Sequence, residues 1–199
     1  MGYDKLNDMH IDALREIGNI GSGNAATALS TMLNKEIKIA VPTVKVLDYE
    51  EVVQDLGGPE NVLIGILINL SGDISGMIMF LLEKEFAHMT LSHLIGSEFK
   101  EGVEMDPMSK STMQEVGNIM AASYINAVAS LTNFRINLSI PHMSVDMTGA
   151  MLSVPAIYYA NIADRIILIE DKLDDRSNSR VLLIPEEDSL KNMMDALGL

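Results

Sequence analysis

Two short polar patterns in the chain hold residue types that can do chemistry. The first is Asp12, Glu16, Asn19 and Pro42; the second is Ser111, Glu115, Asn118 and Pro141. Both follow the spacing [Asp/Ser]-x3-Glu-x2-Asn-x22-Pro. An Asn carboxamide donates and accepts hydrogen bonds at once, so it can hold a water in one orientation. A neighbouring carboxylate can pair with a basic group of another molecule and fix the docking geometry. Neither pattern contains a nucleophile–base pair or a second carboxylate for glycosidase chemistry. A site of this kind suits a substrate that is already activated. Phosphoryl transfer qualifies, because its loose transition state asks the protein mainly for alignment and electrostatics.

Both patterns require a helix to display them. With Asp12 at zero on a wheel of about 100° per residue, Glu16 falls at about +40°, Asn19 at about −20° and Gly23 at about +20°. Ser30 and Asn34 continue that stripe, while His10, Leu14, Ile17, Gly21, Ala25, Ala28 and Met32 form the opposite, core-facing side. In the second copy Ser111, Glu115, Asn118 and Ala122 align, with Met113, Val116, Met120, Tyr124, Ala127 and Leu131 on the core side. An exposed polar face alone is ordinary. However, Asn is a poor mid-helix residue because its amide competes for backbone bonds, yet it stands at matching places in both copies. The residue four positions further on is small in both, Gly23 and Ala122, which leaves room for an approaching molecule.

The patterns belong to a larger repeat. Residues 13–42 align without gaps on residues 112–141, with eight identities in 30 positions. These are Glu16/Glu115, Gly18/Gly117, Asn19/Asn118, Ile20/Ile119, Ala28/Ala127, Asn34/Asn133, Ile37/Ile136 and Pro42/Pro141. The ends of the halves correspond too, residues 79–96 with 181–198. The expected organisation is one domain of two repeats, about 1–98 and 107–199, with a polar joint near 97–106. Expected elements of the first half are a helix over 7–34, a strand over 37–47 with Pro42 inside it, and a short helix over 48–56. A hairpin of 62–70 and 77–82 turning at Ser71, Gly72 and Asp73 follows, then a helix over 83–95. The second half should give a helix over 108–133, strands over 136–145, 162–172 and 180–184, and a helix over 187–197, with 146–159 unassigned. This is an α/β (α+β) chain with long helices on a β-sheet and internal pseudo-two-fold symmetry.

Composition narrows the function. The 199 residues contain 14 Lys and Arg against 28 Asp and Glu, a formal charge of −14. That excess disfavours nucleic-acid backbones and anionic membranes. There is no cysteine, which excludes disulfides, thiolate metal sites and cysteine nucleophiles and fits a reducing cytoplasm. The apolar-rich stretch 62–82 is interrupted by Asn69, Ser71, Gly72, Asp73, Ser75 and Gly76, so it reads as two strands and not a spanning helix. Gly18, Gly21 and Gly23 lack the order and the preceding strand of a phosphate loop, and are expected to serve close helix packing. His88 and His93 read as a surface pair and not a zinc site. Residues 170–175 read as a solvated hairpin turn, lacking the alternating ligands of a calcium loop.

The double motif, with its flanking text LREIGNIGSGNAATALS (14–30) and MQEVGNIM (113–120), resembles the CheC / CheX / FliY family of chemotaxis phosphatases, and within it the CheC branch. The resemblance spans essentially the whole chain and implies a CheC-like fold. It implies hydrolysis of the aspartyl phosphate of the response regulator CheY. By position, Asn19 and Asn118 would orient the attacking water, and Glu16 and Glu115 would pair with the regulator's active-site lysine. Asp12 and Ser111 would have a supporting role, and Pro42 and Pro141 a structural one. Mg2+ would be held by the CheY partner, with no metal or cofactor on this chain. CheD is a further expected partner, with Asp146 and its neighbours Val145 and Met147 as the contact. A cytoplasmic monomer is expected, since CheX-like dimers typically carry a single motif. The alternative is a non-catalytic module of flagellar-switch type that binds the regulator or CheD without hydrolysis.

Overall fold

A computed structural model describes residues 2–38, 40–159, 165–173 and 177–199. After a 3-10 turn at Tyr3–Lys5 the chain runs α1 (Asp8–Leu33), β1 (Thr43–Asp48), α2 (Tyr49–Asp55), β2 (Val62–Gly72), β3 (Gly76–Leu82) and α3 (Lys84–Ile95). It continues with α4 (Pro107–Thr132), β4 (Ile136–Leu138), β5 (His142–Met147), α5 (Thr148–Tyr159), β6 (Arg165–Leu173), β7 (Ser177–Pro185) and α6 (Glu187–Ala196).

Local chemistry fixes the ends of the two long helices. Asn7 closes the start of α1: its Oδ1 accepts from the His10 amide at 3.1 Å, while its own N–H donates to His10 Nδ1 at 3.0 Å. Asp106 closes the start of α4, accepting from the Met108 and Ser109 amides at 2.9 and 3.0 Å. Pro107 follows at the first helical position, where a missing N–H is no loss. Both helices stop on an asparagine in the left-handed region, Asn34 at φ 48° and Asn133 at φ 59°. The Asn34/Asn133 identity is thus a helix-stop signal.

Among the described residues the strands form one antiparallel sheet in the order β1-β6-β7-β3-β2, with β4 and β5 both pairing β2 on its far side. Exchanging β1 with β5, β2 with β6 and β3 with β7 reverses this order and leaves it unchanged. The first strand of each half therefore pairs with the other half's hairpin. Alternating strand residues point to opposite faces, and both faces are covered. On one, Ile66, Ile68, Ile78, Phe80, Ile167, Ile169 and Val181 meet the long helices through Leu14, Ile17, Leu29, Met113, Val116 and Met120. On the other, Met77, Met79, Leu81, Leu168, Leu182 and Ile184 pack with Val52, Val53 and Leu56 and with Met151 and Leu152. Since α1 and α4 share one face and pack on each other, the rotation relating the halves is perpendicular to the sheet. The two helices consequently run in opposite directions.

Several expectations need correction. The strand expected over 37–47 begins only at Thr43, because buried Pro42 has no N–H to give a ladder and precedes the strand instead of interrupting it. The strand expected over 136–145 is two pieces, β4 and β5, broken around Pro141. The hairpin strands run on to Gly72 and resume at Gly76, so the turn lies two residues later than expected. Leu131, assigned to the core side, is 38% exposed near the end of α4. Ser30 leaves the outer stripe, its hydroxyl accepting from the Ile37 amide at 2.8 Å. Segment 146–159, unassigned from sequence, is the end of β5 and α5. The expected strand start at Ile162 and the acidic tip at Asp174 and Asp175 lie outside the described residues.

Candidate active site: two outward Glu–Asn pairs

Helix α1 carries Asp12, Glu16 and Asn19 outward, all exposed, and α4 carries Ser111 and Glu115 exposed with Asn118 half-buried. The side chains of Glu16, Asn19, Glu115 and Asn118 make no hydrogen bond or ion pair with the described residues. This separates them from most other repeated positions, whose identities the fold explains. Ile17 and Val116 are in the core. Gly18 and Gly117 lie under neighbouring side chains: a Cβ on Gly18 would sit 3.4 Å from Pro42 Cγ and Ile169 Cγ2, and one on Gly117 only 2.5 Å from Ile66 Cγ2. The motif proline thus seats against the motif glycine in the first copy.

The glycines of α1 divide in two. A Cβ on Gly21 would lie 2.7 Å from Tyr124 Cδ1, so this glycine serves the close packing of α1 on α4. A Cβ on Gly23 would meet nothing within 4 Å. Glycine in a helix interior costs roughly 0.5–1 kcal/mol relative to alanine, and here no internal contact requires it. Ala122, its counterpart, is half-buried.

Residues flanking the pairs differ between the copies. The Arg15 guanidinium donates to the Asp12 carboxylate, so the first position of the first motif is already partnered. At the position matching Arg15, Gln114 Nε2 donates to the Pro141 carbonyl at 2.9 Å and ties α4 to the turn before β5. Sequence reasoning missed both; an Arg three residues after an Asp on a helix was the available signal for the first. The second had none, because Gln114 and Pro141 are distant in sequence.

Elsewhere, Asp146 lies within β5 and not in a loop; its Oδ1 accepts from the Met147 amide at 2.8 Å. Val145 and Met147 beside it are 40% and 46% exposed. They help line a groove with Val62, Val103, Met105 and Met143. His88 and His93 are both exposed on α3, with His93 Nδ1 2.9 Å from the Met89 carbonyl oxygen. Among the described residues no three His, Asp or Glu side chains converge to hold a metal, and no helix is long and apolar enough to cross a membrane.

The fold and site define a class: a helix-on-sheet scaffold with internal symmetry, displaying two outward Glu–Asn pairs that lack internal partners. Comparison with known proteins agrees with that description. A model of the CheC-like family matches residues 9–46, and one of the chemotaxis phosphatase CheX matches residues 64–157. The chain is 32% identical over 203 residues to the CheY-P phosphatase CheC of Bacillus subtilis, covering 98% of this chain and 97% of that one. The crystal structure of Thermotoga maritima FliY superposes with a TM-score of 0.74 at 23% identity, over 98% of both chains. A chain from the CheX-CheY-BeF3-Mg2+ complex of Borrelia burgdorferi superposes at 0.53 and 20% identity, over 89% of this chain and 99% of that one. The protein belongs to the CheC-like family.

Proposed function

We propose that the chain is a phosphatase of phosphorylated CheY, with Glu16–Asn19 and Glu115–Asn118 as two sites of one reaction. The observation that carries this is that matching Glu–Asn pairs stand outward on α1 and α4, at the same places in the two copies, with no side-chain partner among the described residues. An aspartyl phosphate is a reactive mixed anhydride. The receiver's own Mg2+ and lysine would neutralise the phosphoryl group, and this chain would add the missing alignment. The Asn carboxamide accepts a hydrogen bond from a water and holds its oxygen in line with phosphorus. The new P–O bond forms as the bond to the aspartyl oxygen breaks, giving inorganic phosphate and the free carboxylate. The Glu carboxylate pairs with the receiver's lysine and sets the register of docking. Asp12, held by Arg15, and Ser111 support the first turn of each site.

The unit doing this is one cytoplasmic, monomeric CheC-like domain built of repeats 1–98 and 107–199. The exchanged edge strands support a single unit, because neither half completes its hairpin sheet alone. The exposed β5 residues Val145, Asp146 and Met147 are the surface we assign to CheD.

The test follows loss of phosphate from phosphorylated cognate CheY with and without the chain. Acceleration in proportion to chain concentration supports the reading. Decay at the spontaneous rate, with binding intact, identifies a docking module without catalysis.

A further inference from the structure

We infer that the two sites are alternative docking positions for a single CheY, so that each chain engages one receiver at a time. The inference rests on the phosphatase reading above and adds its stoichiometry.

The geometry begins at the α1–α4 crossing. A Cβ on Gly21 would approach Tyr124 Cα to 3.1 Å, and the Ser22 and Tyr124 hydroxyl oxygens are 2.8 Å apart. The repeat offset of 99 maps the Gly21–Tyr124 contact onto Met120 and Ala25. The crossing is therefore centred near residues 23 and 122. Asn19 and Asn118 each precede that centre by four residues. At 1.5 Å per residue this is about 6 Å. Because the helices run in opposite directions, the two Asn residues lie on opposite sides of the crossing, about 12 Å apart along the axes. Packed helices stand about 8–10 Å apart, so the two Asn positions are separated by about 15 Å.

Both stripes look away from the sheet, and hence toward the same side. A protein interface of ordinary size buries about 800 Å² on each partner, a disc about 30 Å across. Two such discs centred about 15 Å apart overlap over much of their area. The shared ground is the crossing itself, where Gly23 is exposed and Ala122 half-buried. A receiver seated on Glu16–Asn19 thus covers the approach to Glu115–Asn118, and the reverse.

The experiment titrates the full-length chain with cognate CheY carrying beryllofluoride and Mg2+, by calorimetry and by mass in solution. Three variants accompany the wild type: Glu16→Arg/Asn19→Ala, Glu115→Arg/Asn118→Ala, and all four changes together. The expected ratios are one CheY per chain for the wild type, one for each single-site variant, and none for the combined variant. Two CheY per wild-type chain overturns the inference while leaving the phosphatase reading intact. Loss of all binding in one single-site variant also overturns it, since one site then does everything. No binding by the wild type, together with no acceleration of dephosphorylation, overturns the reading beneath it.

Discussion

Gly21 and Tyr124 meet so closely across α1 and α4 that a methyl group on Gly21 would lie 2.7 Å from the tyrosine ring. Two residues on, a methyl group on Gly23 would touch nothing within 4 Å. The same substitution in one helix should therefore have opposite signs. Gly21→Ala forces the ring or helix to move, and overpacking of this kind costs about 1–3 kcal/mol. That loss outweighs the gain of about 1 kcal/mol from better helix propensity. Gly23→Ala keeps the gain and raises stability by about 0.5–1 kcal/mol. Urea denaturation of the two variants measures both shifts. Equal effects of one sign would show that the packing of α1 on α4 is not as described.

The strand exchange is held by charge as well as by the ladder. Lys45 on β1 donates to Asp55 at 2.6 Å and to Glu170 on β6 at 2.8 Å. Arg180 on β7 lies 3.8 Å from each of those carboxylates and 3.4 Å from Glu83. The hydrogen bond that Lys45 donates to Asp55, then the one it donates to Glu170, holds its ammonium above the usual lysine range. Its contribution is full below the unfolded lysine value of about 10.4 and is lost as pH rises through the higher folded value. Lys45→Met should cost about 1–2 kcal/mol, between the ranges for surface and buried pairs. A double-mutant cycle with Asp55→Asn should return a coupling above about 0.5 kcal/mol; simple additivity would show the pair to be incidental.

Acid should loosen α4 before it unfolds the chain. The Asp106 carboxylate accepts from the Ser109 hydroxyl at 2.6 Å and from the Ser109 and Met108 amides. The Ser109 hydroxyl above all, and then its amide, hold this carboxyl below the usual range. The cap therefore stabilises fully above the unfolded value of about 3.9 and is lost as pH falls through the lower folded value. Amide shifts of Met108 and Ser109 should titrate below about pH 4. In Asp106→Asn, which caps without a charge to lose, they should stay flat.

Docking through Glu16 and Glu115 should carry a salt signature. Exposed charges more than a Debye length apart are screened at physiological ionic strength, and rim pairs act mainly on association rate. Raising salt should slow CheY-P hydrolysis at low CheY-P concentration far more than at saturation. The Glu16→Gln/Glu115→Gln variant should lose most of that dependence and raise KM about tenfold, with kcat changed less. A fall in kcat with KM unchanged would move these carboxylates from docking to chemistry.

Much of this was legible in the residues. The wheel separated the buried and outward faces of α1, and placed Gly21 on the packed side. Asn7 and Asn34 bracket α1 almost where the periodicity does. What local pattern cannot carry is partnership across the chain. Nothing near Thr43 says that β1 pairs with β6, nor does anything near His142 say that β5 pairs with β2. Pro42 looked like a flaw within a strand because its tertiary seat against Gly18 is invisible from its neighbours. Segment 146–159 hid a helix because it is apolar nearly throughout and contains Pro155, so no face stood out. The outward Glu–Asn pairs were visible for the opposite reason, since duplication repeats a pattern that the fold itself does not need.

The central claim is that Asn19 and Asn118 complete another protein's reaction centre. The most direct measurement is single-turnover loss of phosphate from CheY-P by the wild type, Asn19→Ala, Asn118→Ala and the double variant, with binding to beryllofluoride-CheY followed in parallel. Each single variant should keep part of the activity. The double variant should fall roughly 100-fold, on the scale of a lost positioning contact, to near the spontaneous rate while still binding. Hydrolysis at the wild-type rate by a double variant that binds normally would contradict the account.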